Sequence, residues 1–144
     1  MRFHDLLHGV YFDDLDAFQI LHNARYLLLF EHAIGSFWRT LGLAGELDFN
    51  TDSDQHHLVA ANHIDYERPV VGTGQVRVRV WVKKLGRSSL TFGLRVMPPD
   101  EDVDHATGYR VIVRVDAQTR KSVPWSDEFR TLVADYCEAV SPPR

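Results

Sequence analysis

Asp16 stands a few residues before His22-Asn23-Ala24, where a long apolar pattern begins. The first backbone N–H groups of a helix have no intrahelical acceptor, so they can bind an oxyanion. A carboxylate just upstream reaches over the same space. Together they suit acyl transfer: the donors polarise a carbonyl, and the carboxylate attacks it or activates water. The competing reading is that Asp13, Asp14 and Asp16 form a solvated turn whose charge complements the helix dipole. The residues alone leave both open.

A second group is basic. Arg77, Arg79, Lys83, Lys84, Arg87 and Arg95 lie between Gln75 and Met97, with no acid among them. Lys83, Lys84 and Arg87 gather around Gly86 beside Ser88 and Ser89. That grouping suits phosphate, since the cations supply charge while hydroxyls and backbone N–H groups add directed bonds. The alternative is a solvated sheet face with edge-protecting cations. A nucleic-acid surface is disfavoured by few interleaved aromatics, a net charge of −4 and a pI near 6.0.

Other residue types carry less. Glu31 falls at the edge of the helix's apolar stripe, which suits a structural ion pair more than catalysis. Eight histidines invite a search for metal ligands. No H-E-x-x-H motif is present, and His56-His57 would point to opposite faces of a strand. No metal site is expected. There is no G-x-S-x-G elbow. Cys137 sits in an amphipathic segment and reads as a half-buried passenger. One cysteine excludes an internal disulfide and fits a reducing compartment.

These residues need elements to position them. Leu6–Phe12 reads as a strand, followed by the acidic turn Asp13–Asp16. Ala24–Leu41 reads as a helix, with Asn23 as N-cap and Gly42 as stop. Its stripe is Tyr26, Leu27, Phe30, Ala33, Ile34, Phe37, Trp38 and Leu41, about 140° wide at 100° per residue. Leu28 and Leu29 fall outside the stripe, so the helix is greasier than a surface helix needs. Residues 42–57 read as a loop. Leu58–Tyr66 reads as a strand with Leu58, Ala60, Ile64 and Tyr66 on one face. Gln75–Lys83 alternates valines with Arg77, Arg79, Trp81 and Lys83. Ser89–Met97 is its hairpin partner, and the loop at Pro98 leads to His105–Asp116, with Tyr109, Val111, Val113 and Val115 in register. Ser126–Tyr136 reads as a short helix capped by Ser126, and Ser141–Arg144 as a frayed tail. One long helix followed by strands on short links argues an α+β fold with an antiparallel sheet. At 144 residues the chain suits one domain with a real core, spanning residues 1–144. The N-terminus has no apolar signal segment, and the run Tyr26–Phe30 is far too short to span a bilayer.

The segments Tyr11–Phe18, His22–Leu27 and Phe30–Ala33 together resemble the hotdog-fold acyl-CoA thioesterases, in the 4-hydroxybenzoyl-CoA thioesterase-like branch. Leu85–Phe92, Val113–Asp116 and Ser122–Pro124 extend the likeness over about residues 6–130. The resemblance implies a long helix wrapped by about five antiparallel strands, in homodimers or homotetramers with sites at the subunit interface. It implies an acyl-CoA substrate, Asp16 as catalytic carboxylate and the Asn23 N–H as the donor to the thioester carbonyl. Gln19, His22 and Glu31 would lie near the substrate, Glu31 in a structural role. Lys83, Lys84, Arg87, Ser88 and Ser89 would approach the coenzyme A phosphates and pantetheine. No cofactor beyond the substrate's own coenzyme A is implied, and the setting would be cytoplasmic. The chain departs from the family pattern at Gln19 and Ile20, where Gly and then His or Val are usual, and at His22. Those departures keep a second reading open, a non-catalytic acyl-CoA or acyl-carrier binding module on the same fold. A hydratase would need a catalytic His and a different helix signature, and a plain dimerisation domain is the remaining alternative.

Overall fold

The computed structural model describes residues 1–43, 45, 48 and 50–138. The expected tail at 141–144 and part of the loop at 42–57 lie outside the described residues.

Five strands form one sheet: β1 (His4–Val10), β2 (His57–Tyr66), β3 (Gly74–Leu85), β4 (Ser89–Met97) and β5 (Ala106–Arg114). Their order is β1-β3-β4-β5-β2, and every neighbouring pair is antiparallel. The long helix α1 (Tyr26–Thr40) lies on one face. A shorter helix, α2 (Asp127–Val133), follows β5. This is the α+β arrangement the sequence implies.

The valine alternation of β3 explains the core. Val76, Val78, Val80 and Val82 are fully buried, as are Leu90, Phe92, Leu94 and Val96 of β4. They meet Phe30, Ala33, Ile34 and Phe37 of α1 in one cluster. Burying each such side chain contributes about 1.5–3 kcal/mol. Gly108 lets the helix approach closely, because a Cβ there would collide with the His63 carbonyl and crowd the Phe30 ring.

The ends of α1 differ from the sequence reading at one side only. Gly42 stops it with a φ of 80°, and the Leu43 N–H reaches back to the Trp38 carbonyl at 2.9 Å. At the start, Asn23 is not the cap. His22 is: its Nδ1 accepts from the Ala24 N–H at 3.1 Å, opening a 3-10 turn, Asn23–Arg25, that feeds α1. The buried stripe holds Leu29 in place of Leu27, which is exposed along with Leu28. Ser126 caps α2 as expected, its Oγ accepting from the Phe129 N–H at 3.0 Å.

Other corrections concern faces. Strand β1 ends at Val10, and Phe12 falls in a 3-10 turn. A bulge between Val59 and Ala61 turns Leu58 to the opposite face from Ile64 and Tyr66. On β5 the helix-facing positions hold Arg110, Ile112 and Arg114, all buried, while Tyr109, Val111 and Val113 lie on the outer face.

Strand β2 is an edge. Its outer side pairs with nothing among the described residues, and Leu58, Val59 and Tyr66 are each at least half exposed. No helix is long and apolar enough to cross a membrane among the described residues.

Candidate active site

The loop between Leu15 and Leu21 is narrow and tightly held. Leu15 bridges Leu21, and Ile20 bridges Val71. The Asp16 N–H donates to the Ile20 carbonyl at 2.9 Å, and the Gln19 N–H to the Asp16 carbonyl at 3.0 Å. The Asp16 carboxylate is held from below: its Oδ1 accepts from the Phe18 N–H at 2.8 Å and the Ile20 N–H at 3.4 Å. Its Oδ2 has no partner among the described residues and is left for other chemistry.

Gln19 occupies the left-handed region, with φ of 63°, and its carbonyl accepts from the Gly72 N–H at 2.8 Å. A side chain there costs about 1 kcal/mol relative to glycine. The loop therefore keeps a glycine-like path without the glycine. Ile20 and Leu21 line the cavity behind it.

That cavity, about 410 Å³, is lined by Asp16, Ile20, Leu21, Asn23, Tyr26 and Tyr66, with Glu67, Arg68 and Pro69 at the end of β2. Asp16 and Asn23 thus share one cavity. The Asn23 N–H opens the 3-10 turn and has no acceptor among the described residues. Tyr66 donates its hydroxyl to the Asn23 carbonyl at 3.2 Å and packs edge-on against Tyr26 at 5.0 Å. Burial, followed by the neighbouring Tyr66, pushes the Tyr26 phenol up to about 12, so it stays neutral. Tyr26 and Tyr66 were not singled out from sequence as site residues. Their positions, in a helix stripe and on a strand face, resembled ordinary core.

The other candidates fall elsewhere. His22 faces a separate depression with Asp13, Arg25 and Leu28. Glu31 pairs with the buried Arg110, whose Nε also donates to the Asn62 Oδ1 at 2.7 Å. It lines no part of the Asp16 cavity. Lys83, Lys84, Arg87, Ser88 and Ser89 lie at the β3–β4 turn, the end of the sheet where His57 faces Arg114. Tyr66 faces Ala106 at the other end, so about 26 Å of strand separates the basic turn from Asp16 within one chain. The turn's carbonyls are held: Gly86 and Arg87 accept from the Arg130 guanidinium at 2.6 and 3.2 Å. Lys83, Lys84 and Arg87 make no ion pair among the described residues.

The His57 end has its own aromatic group. His57 stacks on Trp38 at 5.2 Å, and Trp38 on Phe129 at 5.4 Å. The buried Trp38 Nε1 has no hydrogen-bond partner among the described residues, while the His57 ring meets the backbone of Asp54 and Gln55. Burial depresses the His57 pKa, partly offset by Glu31. No three His, Cys, Asp or Glu side chains converge to hold a metal ion among the described residues.

A long helix against this five-stranded antiparallel sheet, with a carboxylate and a helix start sharing one cavity, defines a class. Residues 10–133 match the model of the Thioesterase-like superfamily, and the chain belongs to that family. It is 28% identical over 121 residues to the uncharacterized protein YsmA of Bacillus subtilis, covering 83% of this chain and 78% of that one. A hypothetical protein from Staphylococcus aureus, solved in complex with CoA, superposes with a TM-score of 0.82 at 17% identity, over 99% of this chain and 90% of that one. A 1,4-dihydroxy-2-naphthoyl-CoA thioesterase from Synechocystis superposes with a TM-score of 0.78 at 15% identity, over 93% and 97%. The fold is the hotdog fold of these thioesterases.

Proposed function

We propose that this protein is an acyl-CoA thioesterase that works as a homodimer. The observation that carries the reading is the placement of Asp16 and the Asn23 N–H on one cavity, with the Asp16 Oδ2 unclaimed. The Asn23 N–H polarises the thioester carbonyl, a contact worth on the order of 3 kcal/mol. Asp16 drives attack on the carbonyl carbon, directly or through a water. A C–O bond forms to the water or to Asp16 as the C–S bond breaks, and on the direct route a water then hydrolyses the Asp16–acyl anhydride; coenzyme A leaves as a thiolate that takes up the proton the water gives up. A thiol of pKa near 8.5 leaves without a strong general acid, which suits so sparse a site.

The dimer follows from the unpaired edge of β2. Edge-on antiparallel pairing with a second copy hides Leu58, Val59 and Tyr66 and removes an aggregation-prone edge. It also brings the basic turn of one protomer to the Asp16 end of the other, where Lys83, Lys84 and Arg87 bind the coenzyme A phosphates. Hydrolysis of an acyl-CoA panel, followed by thiol release, tests the reading. Binding without thiol release would make the chain a binding module instead. Single turnover in ¹⁸O water tests for direct attack by Asp16: label found in Asp16 means that an Asp16–acyl anhydride formed and was hydrolysed at the Asp16 carbon.

A further inference from the structure

Strand β2 has a centre. Along β5, His57 faces Arg114, Asn62 faces Arg110 and Tyr66 faces Ala106. Asn62 is therefore equally far from both ends in β5 positions, the bulge at Val59/Ala61 absorbing the extra residue. A two-fold axis through Asn62 sets the two copies of β2 antiparallel and places His57 of one chain opposite Tyr66 of the other. Directly opposed residues share a face. His57 stacks on Trp38 of α1 and Tyr66 packs on Tyr26 at the start of α1, so both lie on the helix side. The two aromatic pairs then meet across the axis.

We propose that His57 of the partner subunit is a positioning residue of the Asp16 site. It packs its imidazole against Tyr66, whose hydroxyl holds the Asn23 carbonyl, and so fixes the donor that polarises the thioester. This rests on the dimeric thioesterase reading. The imidazole is held neutral by burial, with Glu31 of α1 and Arg110 of β5 as its charged neighbours, so it adds no charge beside Asp16. Each site then has a wall from both chains, with Trp38 behind the partner's His57.

Mixed dimers test this. His57→Ala and the more conservative His57→Asn should sediment as dimers. Their kcat on an acyl-CoA should fall about tenfold, with a smaller change in KM, as for a misplaced donor. A dimer of one Asp16→Asn chain and one His57→Ala chain, purified through two different tags, should regain about half of wild-type turnover, because one site is then intact. A dimer of one wild-type chain and one chain carrying both substitutions should keep only about half the turnover of the His57→Ala dimer, because its one site with Asp16 lacks the partner's imidazole. The reverse pattern would overturn the proposal by placing His57 in its own chain's site or in the fold alone. So would wild-type kinetics in both His57 variants. A monomer in sedimentation, or full turnover in Asp16→Asn, would instead overturn the reading on which the proposal rests.

Discussion

The two ends of β2 differ in almost every property. The Tyr66 end carries a carboxylate with a free oxygen, an unclaimed backbone donor and a cavity of about 410 Å³. The His57 end carries stacked aromatics, the buried Arg114 and a basic turn whose lysines have no acid partners among the described residues. On the proposed thioesterase reading, one end serves the bond that breaks and the other the charge and bulk of what is attached to it. A single chain holds them a strand's length apart. The difference teaches what the proposed dimer would do: antiparallel pairing along β2 would bring to each end what it lacks and the other end has.

The largest effect should come from disabling the Tyr66 end. Asp16→Asn should lower kcat by at least about 100-fold, with CoA binding unchanged by calorimetry. Nearly as large should be the separation of the two ends: Leu58→Lys with Val59→Lys should give a folded monomer by sedimentation and circular dichroism, with most turnover gone. Reversing charge at the other end, Lys84→Glu with Arg87→Glu, should raise KM for acyl-CoA about tenfold and leave kcat nearly alone. The same variant should treat an acyl-pantetheine lacking the nucleotide as wild type does.

Two smaller predictions concern stability. Burial lowers the pKa of His57 and of His4, so the unfolded chain binds protons that the folded one refuses. Stability should therefore fall as pH drops below about 6.5. His57→Gln should flatten that fall, as read from urea midpoints across the range. Gln19→Gly should shift the midpoint least. It relieves about 1 kcal/mol of left-handed strain but loosens the unfolded chain, so turnover should change by less than about twofold.

Much of the fold was legible because its signals are local. The valine alternation of β3, Gly42 and the Ser126 cap each act over a few residues and appear as read, while the stripe of α1 differs in that Leu29 takes the place of Leu27. That Asp16 and Asn23 share a cavity was legible for the same reason: only a short loop separates them. The misreadings share another cause. Asn23 lost the cap because the His22 ring reaches the Ala24 N–H first. Leu58 changed faces because a bulge inserts one residue, which no periodicity count detects. Arg110 and Arg114 are buried because Glu31, Asp52 and Asp54, distant in sequence, meet them.

The amino-acid pattern by itself determined the layering of one helix on one antiparallel sheet, and the short spacing that keeps Asp16 and Asn23 on one cavity. Periodicity and turn chemistry operate within a few residues and survive without a partner. Only the tertiary structure decided that Tyr26 and Tyr66 wall the cavity, that Glu31 is spent on Arg110, and that the basic turn stands at the far end from Asp16. Those relations depend on strand order and register, which place residues from different segments side by side.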